Sequence, residues 1–205
     1  MDEHIIITIG RQFGSGGKGV ANIISKKLGI PVYDSEILAE SAQESGFSKE
    51  LFERSDERKN LFSLASIFGA NRYGGANSSG ISDNDLFRIQ GEVIRRIAKK
   101  GSAIFVGRAS DYVLRDLDTL DVFLCAPMEV RRRIVAAREG MTENEAEVFI
   151  NKKERRRREY YNYLTFGDNW GVASNYDLCI DSSILGLDET ADLIITFARK
   201  KGLLK

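Results

Sequence analysis

The chain has 205 residues, of which 42% are hydrophobic and 29% charged, so it has enough apolar material for the core of one domain. Thirty basic residues balance thirty acidic ones, which argues against a protein that binds nucleic acid over a general basic surface. The one histidine, His4, excludes a cluster of histidine metal ligands and argues against a Ser-His-Asp triad.

The two cysteines and the N-terminal residues indicate the cellular compartment. Cys125 and Cys179 both lie in apolar runs, which favours buried, reduced thiols over a disulfide. No apolar run approaches the roughly 18 residues that a membrane span needs, and the N-terminus lacks the pattern of a signal peptide. We therefore expect a cytoplasmic protein without a membrane partner.

The chain opens with a predicted strand, glycine loop, helix and second strand. The β-branched run at 4–9 is typical of a strand buried on both faces. Apolar residues at helical spacing predict a helix from Gly19 to Leu28, and the run at 30–34 predicts the next strand. A polar helical pattern then runs from Ser35 to about Arg58.

The rest of the chain continues the alternation. The Gly-, Ser- and Asn-rich stretch at 69–82 predicts a mobile loop. The remaining predicted elements, in chain order, are a helix at Asp83–Lys100, strands at 102–107 and 120–126, a charged helical stretch at 127–164 that breaks near Gly140, a strand at 175–181 and a helix at Asp188–Lys200. Five apolar strands separated by helices predict an α/β fold with three layers and a parallel sheet.

The loop after the first strand has the composition of a phosphate-binding loop. Such a loop needs glycines so that backbone N–H groups can surround an anion, a lysine that reaches the outer phosphates, and the start of a helix. The residues that supply these features are Gly14, Ser15, Gly16, Gly17, Lys18 and Gly19. Because Gly19 stands where the usual Ser or Thr ligand of Mg²⁺ follows the lysine, Ser15 or water would have to take that role.

Two other interpretations of this loop stay open. Gly14, Gly16 and Gly19 also satisfy the dinucleotide pattern GxGxxG, with Asp34 at the end of the next strand. That pattern does not need Lys18, and it normally follows its strand directly. The third interpretation is a glycine-rich turn without a ligand.

Four charged residues are predicted to lie near the loop at the carboxyl ends of strands, where open parallel sheets bind ligands. Arg11 lies in the loop, and Arg108 follows the third strand, where a bound phosphate would explain it. Asp34 is either a ligand-binding residue or a helix N-cap. Asp111 either orients Arg108 or caps the next helix.

A basic run precedes a cluster of aromatic residues. Its cations are Lys152, Lys153, Arg155, Arg156, Arg157 and Arg158. On a helix, positions 154, 157, 158 and 161 share one face. The run is either a solvated helix with weak ion pairs or a flap that brings one or two arginines onto phosphoryl groups. Without a second basic stripe, nucleic acid is not the expected partner.

Taken in order, six segments resemble the cytidylate kinase-like family, a branch of the P-loop nucleoside monophosphate kinases. The segments are ITIGRQFGSGGKG, LGIPVYDSEIL, FVGRASDYVL, VFLCAP, ERRRREYYNYLTFGDNW and NYDLCID. The resemblance spans about 5–197 and implies ATP-dependent phosphoryl transfer to a nucleoside monophosphate, CMP or dCMP, with Mg²⁺. It also implies one P-loop domain, 1–205, with a five-stranded core (1–34, 101–127 and 175–205), an acceptor-binding insert at about 35–100 and a helical lid at about 128–174.

The resemblance also implies roles for individual residues. Residues 14–19 would bind the ATP phosphates, and the catalytic side chains would be Lys18, Arg108 and Arg157. The acceptor would be bound by Arg11, Asp34, Arg108 and Asp111. The lid would present Glu154 and Arg157 at the positions of the family's Asp-x-x-Arg pattern, beside Arg156 and Arg158.

Three alternatives to a cytidylate kinase remain at this point. One is a P-loop kinase for another small acceptor, and a second is a nucleotide-binding regulatory protein without transferase activity. The third, a nicotinamide or flavin enzyme, follows from GxGxxG. We expect ATP and a small nucleotide as partners, and a monomer or homodimer.

Overall fold

The computed structural model describes residues 4–34, 83–167 and 169–204, with the backbone alone for residues 83–87 and 89. Two predictions, the polar helical segment after Ser35 and the mobile loop at 69–82, lie outside the described residues. Within the described ranges, no helix combines the length and apolar character that crossing a membrane requires.

Five strands form one sheet in the order β2-β3-β1-β4-β5, and every neighbouring pair is parallel. The strands are β1 (Ile6–Arg11), β2 (Val32–Tyr33), β3 (Ala103–Val106), β4 (Leu120–Cys125) and β5 (Leu178–Asp181). The predicted α/β class and parallel sheet are therefore confirmed. β1 extends further than predicted because it pairs with β4 as far as Arg11, which lies opposite Leu124. Arg11 is thus the last residue of a strand and not a loop residue.

The helices flank the sheet. They are α1 (Gly17–Leu28), α2 (Asp83–Lys100), α3 (Ser110–Val113), α4 (Met128–Glu139), α5 (Glu143–Thr165) and α6 (Ser182–Lys201), with a 3-10 turn at Ala173–Asn175. α2 has its predicted bounds, and Gly140 ends α4 where the break was predicted. α5 begins with a capping box in which Thr142 and Glu145 each accept the other's backbone N–H.

Two helices begin earlier than predicted. α1 begins at Gly17 because Val20 N donates to Gly16 O over 3.0 Å and closes the first turn there. α6 begins at Ser182 because the Asp181 side chain caps the Ser183 N–H at 2.9 Å. A non-helical residue, Gly186, then kinks α6 just before the predicted start at Asp188.

The main core lies on one face of the sheet, under α1 and α6. Ile7, Ile9 and Leu124 of the central strands pack there against Ile24 of α1 and Ile194 of α6. This burial fixes the N-terminus of α1 beside the carboxyl ends of β1 and β3. The charged residues that follow these strands are therefore brought to one edge of the sheet.

Candidate active site

The loop between β1 and α1 has a backbone shape that depends on glycine. Gly14 and Gly16 have φ angles of 87° and 78°, in the left-handed region that favours glycine. A Cβ at Gly16 would also lie 2.4 Å from Leu187 Cδ2. The loop ends at the N-terminus of α1, where unpaired N–H groups and the helix dipole favour a bound anion.

The underside of the loop is anchored to the core through Ser15. Its buried hydroxyl lies 3.0 Å from Gln12 O and 3.1 Å from Leu124 O, and its carbonyl accepts the Ser182 hydroxyl at 2.7 Å. These bonds hold the loop in one conformation before any ligand arrives. They also direct the proton of the Ser15 hydroxyl toward the core below the loop; that Ser15 could be a Mg²⁺ ligand stays a prediction.

A buried ion pair holds the loop from the side of α4 and α5. Glu154 Oε1 accepts the Phe13 N–H at 2.9 Å and lies 2.7 Å from Arg131 Nη1. Their side chains are 10% and 5% exposed, respectively. Glu154, which was predicted to belong to a lid, is therefore a structural support of the loop. Arg131 was missed, although its i, i+4 relation to the buried Val135 indicates an inward-facing position.

Lys18 and Asp34 form a second ion pair, at the mouth of the loop. Lys18 Nζ lies 2.6 Å from Asp34 Oδ2, and the side chains are 62% and 10% exposed. Asp34 directly follows β2, so the sheet brings a buried carboxylate to the lysine of the loop. The lysine that was predicted to bind donor phosphates thus contacts the aspartate that was predicted to bind the acceptor.

Three guanidinium groups converge beside this pair. Arg157 Nη1 of α5 donates to the carbonyl of Arg11 at 3.2 Å, and the charges of Arg108 and Arg157 both act on Arg11. We call Arg11, Arg108 and Arg157 the arginine cluster. It brings together the ends of β1 and β3 with α5.

The charges of the arginine cluster would favour a bound anion. Burial, followed by the positive charges of Arg157 and Arg108, holds the pKa of Arg11 well below its usual range, and Asp34 opposes this effect. Burial lowers the pKa of Arg157 to about 10, with further lowering by Arg108. Since like charges oppose one another in a partly buried place, a doubly charged phosphate would relieve an existing repulsion.

A strained turn places Arg108 in this cluster. Gly107, Arg108 and Ala109 have successive φ angles of 76°, 63° and 50°, which is costly for the two residues that carry a Cβ. A Cβ at Gly107 would lie 1.7 Å from Arg11 Nη1. Glycine at 107 therefore leaves room for one arginine while it turns the chain toward the next.

The other two predicted lid arginines lie elsewhere. Arg156 and Arg158 are exposed, and the Arg158 guanidinium carbon lies 5.5 Å from the centre of the Trp170 ring. Arg157 is half-buried and reaches the cluster. Of the basic run, Arg157 turns inward; that one or two of its arginines act on phosphoryl groups stays a prediction.

Asp111 accepts a hydrogen bond from α5. Its carboxylate accepts the Tyr161 hydroxyl and lines a cavity of about 260 Å³ together with Asp121 and Asn169. Asp111 lies in the first turn of α3. The hydrogen bond from Tyr161 to Asp111 thus joins α3 to α5; that Asp111 orients Arg108 or contacts the acceptor stays a prediction.

Replacing Asp111 should change how stability depends on pH. Burial raises the pKa of Asp111 to about 6, against roughly 3.9 in an unfolded chain. The contribution of the Asp111 carboxyl group to stability is therefore fully present below about pH 4 and is lost as the pH rises through about 6. Asp111→Asn retains an oxygen for Tyr161 but buries no charge, so we expect it to be about 3 kcal/mol more stable than the parent at pH 7.5. Urea unfolding from pH 4 to 8 measures this difference.

The difference in the free energy of unfolding between Asp111→Asn and the parent should fall toward zero at pH 4, where the parent carboxyl group is neutral. Titrating groups that do not interact with Asp111 contribute equally to both proteins and cancel in the comparison; Asp121, which acts on the pKa of Asp111, is the exception. An asparagine variant that is less stable than the parent at pH 7.5, or a difference that does not change with pH, would contradict the assignment.

Three further residues beside the site were missed from the sequence. Tyr160 contacts Arg108, with its ring centre 5.9 Å from the guanidinium carbon, and its hydroxyl donates to Gln90 Oε1 at 2.7 Å. Leu187 covers Gly16 and Gly19. The aromatic residues after the basic run predict mainly packing contacts, and no motif marks Gln90 or Leu187.

Comparison with known proteins identifies the family. The sequence profile of the cytidylate kinase-like family matches residues 6–184. The cytidylate kinase of Methanopyrus kandleri is 30% identical over 200 residues, covering 93% of this chain and 91% of that enzyme. The cytidylate kinase of Sulfolobus acidocaldarius is 26% identical over 193 residues, covering 93% and 92%.

Solved structures show the same fold. An uncharacterized protein from Eubacterium ventriosum superposes with a TM-score of 0.70 at 28% identity, covering 94% of this chain and 97% of that one. Shikimate kinase from Bacteroides thetaiotaomicron superposes with a TM-score of 0.51 at 14% identity, covering 95% and 96%, which concerns the fold alone. The chain therefore belongs to the cytidylate kinase-like family and is a phosphotransferase of the nucleoside monophosphate kinase type.

Proposed function

We propose that this protein transfers the γ-phosphoryl group of ATP to CMP or dCMP. The observation that carries the proposal is the arginine cluster, which gathers beside the Lys18–Asp34 pair at the mouth of the loop. A phosphoryl transfer needs two phosphate-binding places side by side, and this edge of the sheet offers both. The cytidylate kinases among the relatives favour a cytidine nucleotide as the acceptor.

The loop is the donor side of the proposed site. Backbone N–H groups of Gly14 to Gly19 would surround the β- and γ-phosphates, with the dipole of α1 behind them. Lys18, which is largely exposed, would exchange Asp34 for the phosphates and follow the γ-phosphoryl group across. Charge stabilisation and positioning are most of what this chemistry asks of a protein.

The arginine cluster is the acceptor side. Arg11, Arg108 and Arg157 would hold the phosphate of the monophosphate and keep one of its oxygens in line with the γ-phosphorus. That oxygen forms the new P–O bond while the bond from the γ-phosphorus to the bridging oxygen breaks, and ADP leaves with the electron pair. Asp34, once separated from Lys18, would accept a hydrogen bond from the acceptor nucleotide.

The donor set near the loop fits a magnesium ion that the nucleotide itself carries. Among residues 4–34, 83–167 and 169–204, no group of three metal-ligating side chains lies together. Asp34 is the carboxylate beside Lys18, and Mg²⁺ is commonly bound by one or two carboxylates, substrate phosphates and water. Bound there, the ion would neutralise part of the charge on the β- and γ-phosphates.

An acceptor panel tests the proposed function. ADP release coupled to a spectroscopic signal is measured with Mg-ATP and each of CMP, dCMP, UMP, AMP, GMP and small alcohols, with ATP alone as the control for hydrolysis. We expect release that depends on CMP or dCMP and exceeds the control by at least about a hundredfold, since positioning of two bound reactants dominates this chemistry.

Other results would overturn the proposal in distinct ways. Release that depends on a small alcohol would make the protein a kinase for another acceptor. No release with any compound, while calorimetry detects ATP binding, would indicate a regulatory nucleotide-binding protein.

A further inference from the structure

We propose that Tyr160 and Gln90 are positioning residues that hold Arg108 in place for the acceptor phosphate. The inference rests on the proposed function, since it assigns Arg108 to that phosphate. It adds a chain of contacts from Gln90 on α2, through Tyr160 on α5, to the strained turn after β3. The affinity for the acceptor would thus depend on how α2 and α5 meet.

A hydrogen bond between Tyr160 and Gln90 joins α5 to α2. The Tyr160 hydroxyl lies 2.7 Å from Gln90 Oε1, across 70 residues of sequence. Gln90 is only 2% exposed. A buried amide needs hydrogen-bond partners, so this bond is costly to remove once it is formed. It therefore ties the two helices together at one defined point.

The direction of the hydrogen bonds follows from the chemistry of the groups. A guanidinium has donors and no acceptor, and a phenol has one proton. The Arg108 guanidinium carbon lies 5.9 Å from the centre of the Tyr160 ring, and the two side chains act on each other's pKa. The Tyr160 proton is directed to Gln90, so in the proposed arrangement the phenol oxygen accepts from Arg108. Each member of the chain thus orients the next, and Gln90 acts on Arg108 through Tyr160.

Arg108 has a particular need for such support. Its backbone and that of Ala109 are in the left-handed region, which is costly for residues with a Cβ, so contacts elsewhere must hold this turn in place. Burial raises the pKa of Tyr160 to about 12, and the charge of Arg108 opposes this rise. The phenol therefore keeps its proton for Gln90 at neutral pH.

The central test is Tyr160→Phe in the full-length protein. This change keeps the ring that lies over Arg108 and removes the hydroxyl. We expect the KM for the acceptor to rise about tenfold, as for the loss of one hydrogen bond to a charged group. The kcat and the KM for ATP should stay within about twofold, because the donor loop is untouched.

Matched variants distinguish a positioning role of Tyr160 from a general loss of structure. Tyr163→Phe makes the same change at an exposed position of α5 and should leave all constants unchanged. Gln90→Met removes the acceptor for the Tyr160 proton and should raise the same KM. The double variant Tyr160→Phe/Gln90→Met should raise the KM for the acceptor little more than either single change does, because both residues act through one chain of hydrogen bonds.

A second readout does not depend on turnover. Inorganic phosphate binding to the protein without nucleotide is measured by calorimetry, and we expect Tyr160→Phe to weaken it about tenfold. If the parent protein transfers no phosphoryl group but Tyr160→Phe still weakens phosphate binding, the proposed function fails and the positioning role stands. An unchanged KM for the acceptor with unchanged phosphate binding, or an equal rise in the KM for ATP, would overturn the positioning role.

Discussion

Replacement of Lys18 by alanine is expected to lower kcat by about 10²–10³-fold. The side chain reaches from the start of α1 to Asp34 and is 62% exposed, so its removal leaves no cavity in the core. In the proposed reaction this exposed cation follows the γ-phosphoryl group. Steady-state ADP release at saturating ATP and acceptor measures the effect, and urea unfolding checks that stability is retained.

The matched control for Lys18→Ala is Lys27→Ala. Lys27 lies on the same helix and forms a solvent-exposed ion pair with Asp192 at 2.7 Å. Exposed pairs of this kind contribute little, so this variant should keep both stability and turnover. If Lys18→Ala retained turnover within a few-fold of Lys27→Ala, the loop would not be binding the transferred group as proposed.

Much of the fold could be predicted because its strands are buried on both faces. Runs such as that before Gly10 carry an unbroken apolar signal, and glycines mark the ends of α1 and α4. The ends of elements were less predictable, since they depend on partners. Arg11 belongs to β1 only because β4 continues beside it, and Ser182 belongs to α6 only because Asp181 caps that turn.

In the candidate site too, residues placed by the sheet could be predicted, whereas contacts that depend on tertiary partners could not. Lys18, Asp34 and Arg108 could be predicted together because parallel strands end at one edge of a sheet and the loop lies there. The partners of α5 could not, because they depend on tertiary packing. Nothing in the sequence pairs Glu154 with Arg131 or Asp111 with Tyr161, since these contacts join helices across 23 and 50 residues.

One face of α5 serves several parts of the site at once. Positions 154, 157 and 161 share that face as predicted, and the structure turns them inward. Glu154 supports the loop, Arg157 joins the arginine cluster and Tyr161 holds Asp111. Arg158 was predicted for the same face but lies at its exposed edge over Trp170. The position of α5 therefore sets the loop and the arginine cluster together.

Breaking the buried ion pair between Arg131 of α4 and Glu154 of α5 should accordingly lower the free energy of unfolding strongly. Glu154→Gln keeps an oxygen for the Phe13 N–H but leaves Arg131 charged, 5% exposed and without its carboxylate. Breaking one side of a buried pair in this way costs about 3–5 kcal/mol. We expect a loss of that size in the free energy of unfolding, measured by urea at pH 7.5.

The same helices supply the control for Glu154→Gln. Glu143 of α5 and Arg132 of α4 form an ion pair at 2.9 Å with side chains 46% and 32% exposed. Glu143→Gln makes the identical chemical change there and should cost less than about 1 kcal/mol. The double variant Arg131→Met/Glu154→Met removes both buried charges and should recover part of the loss, because no unpaired charge remains. Equal losses for Glu154→Gln and Glu143→Gln would mean that solvent reaches Arg131, and that the loop is held by its serine contacts instead.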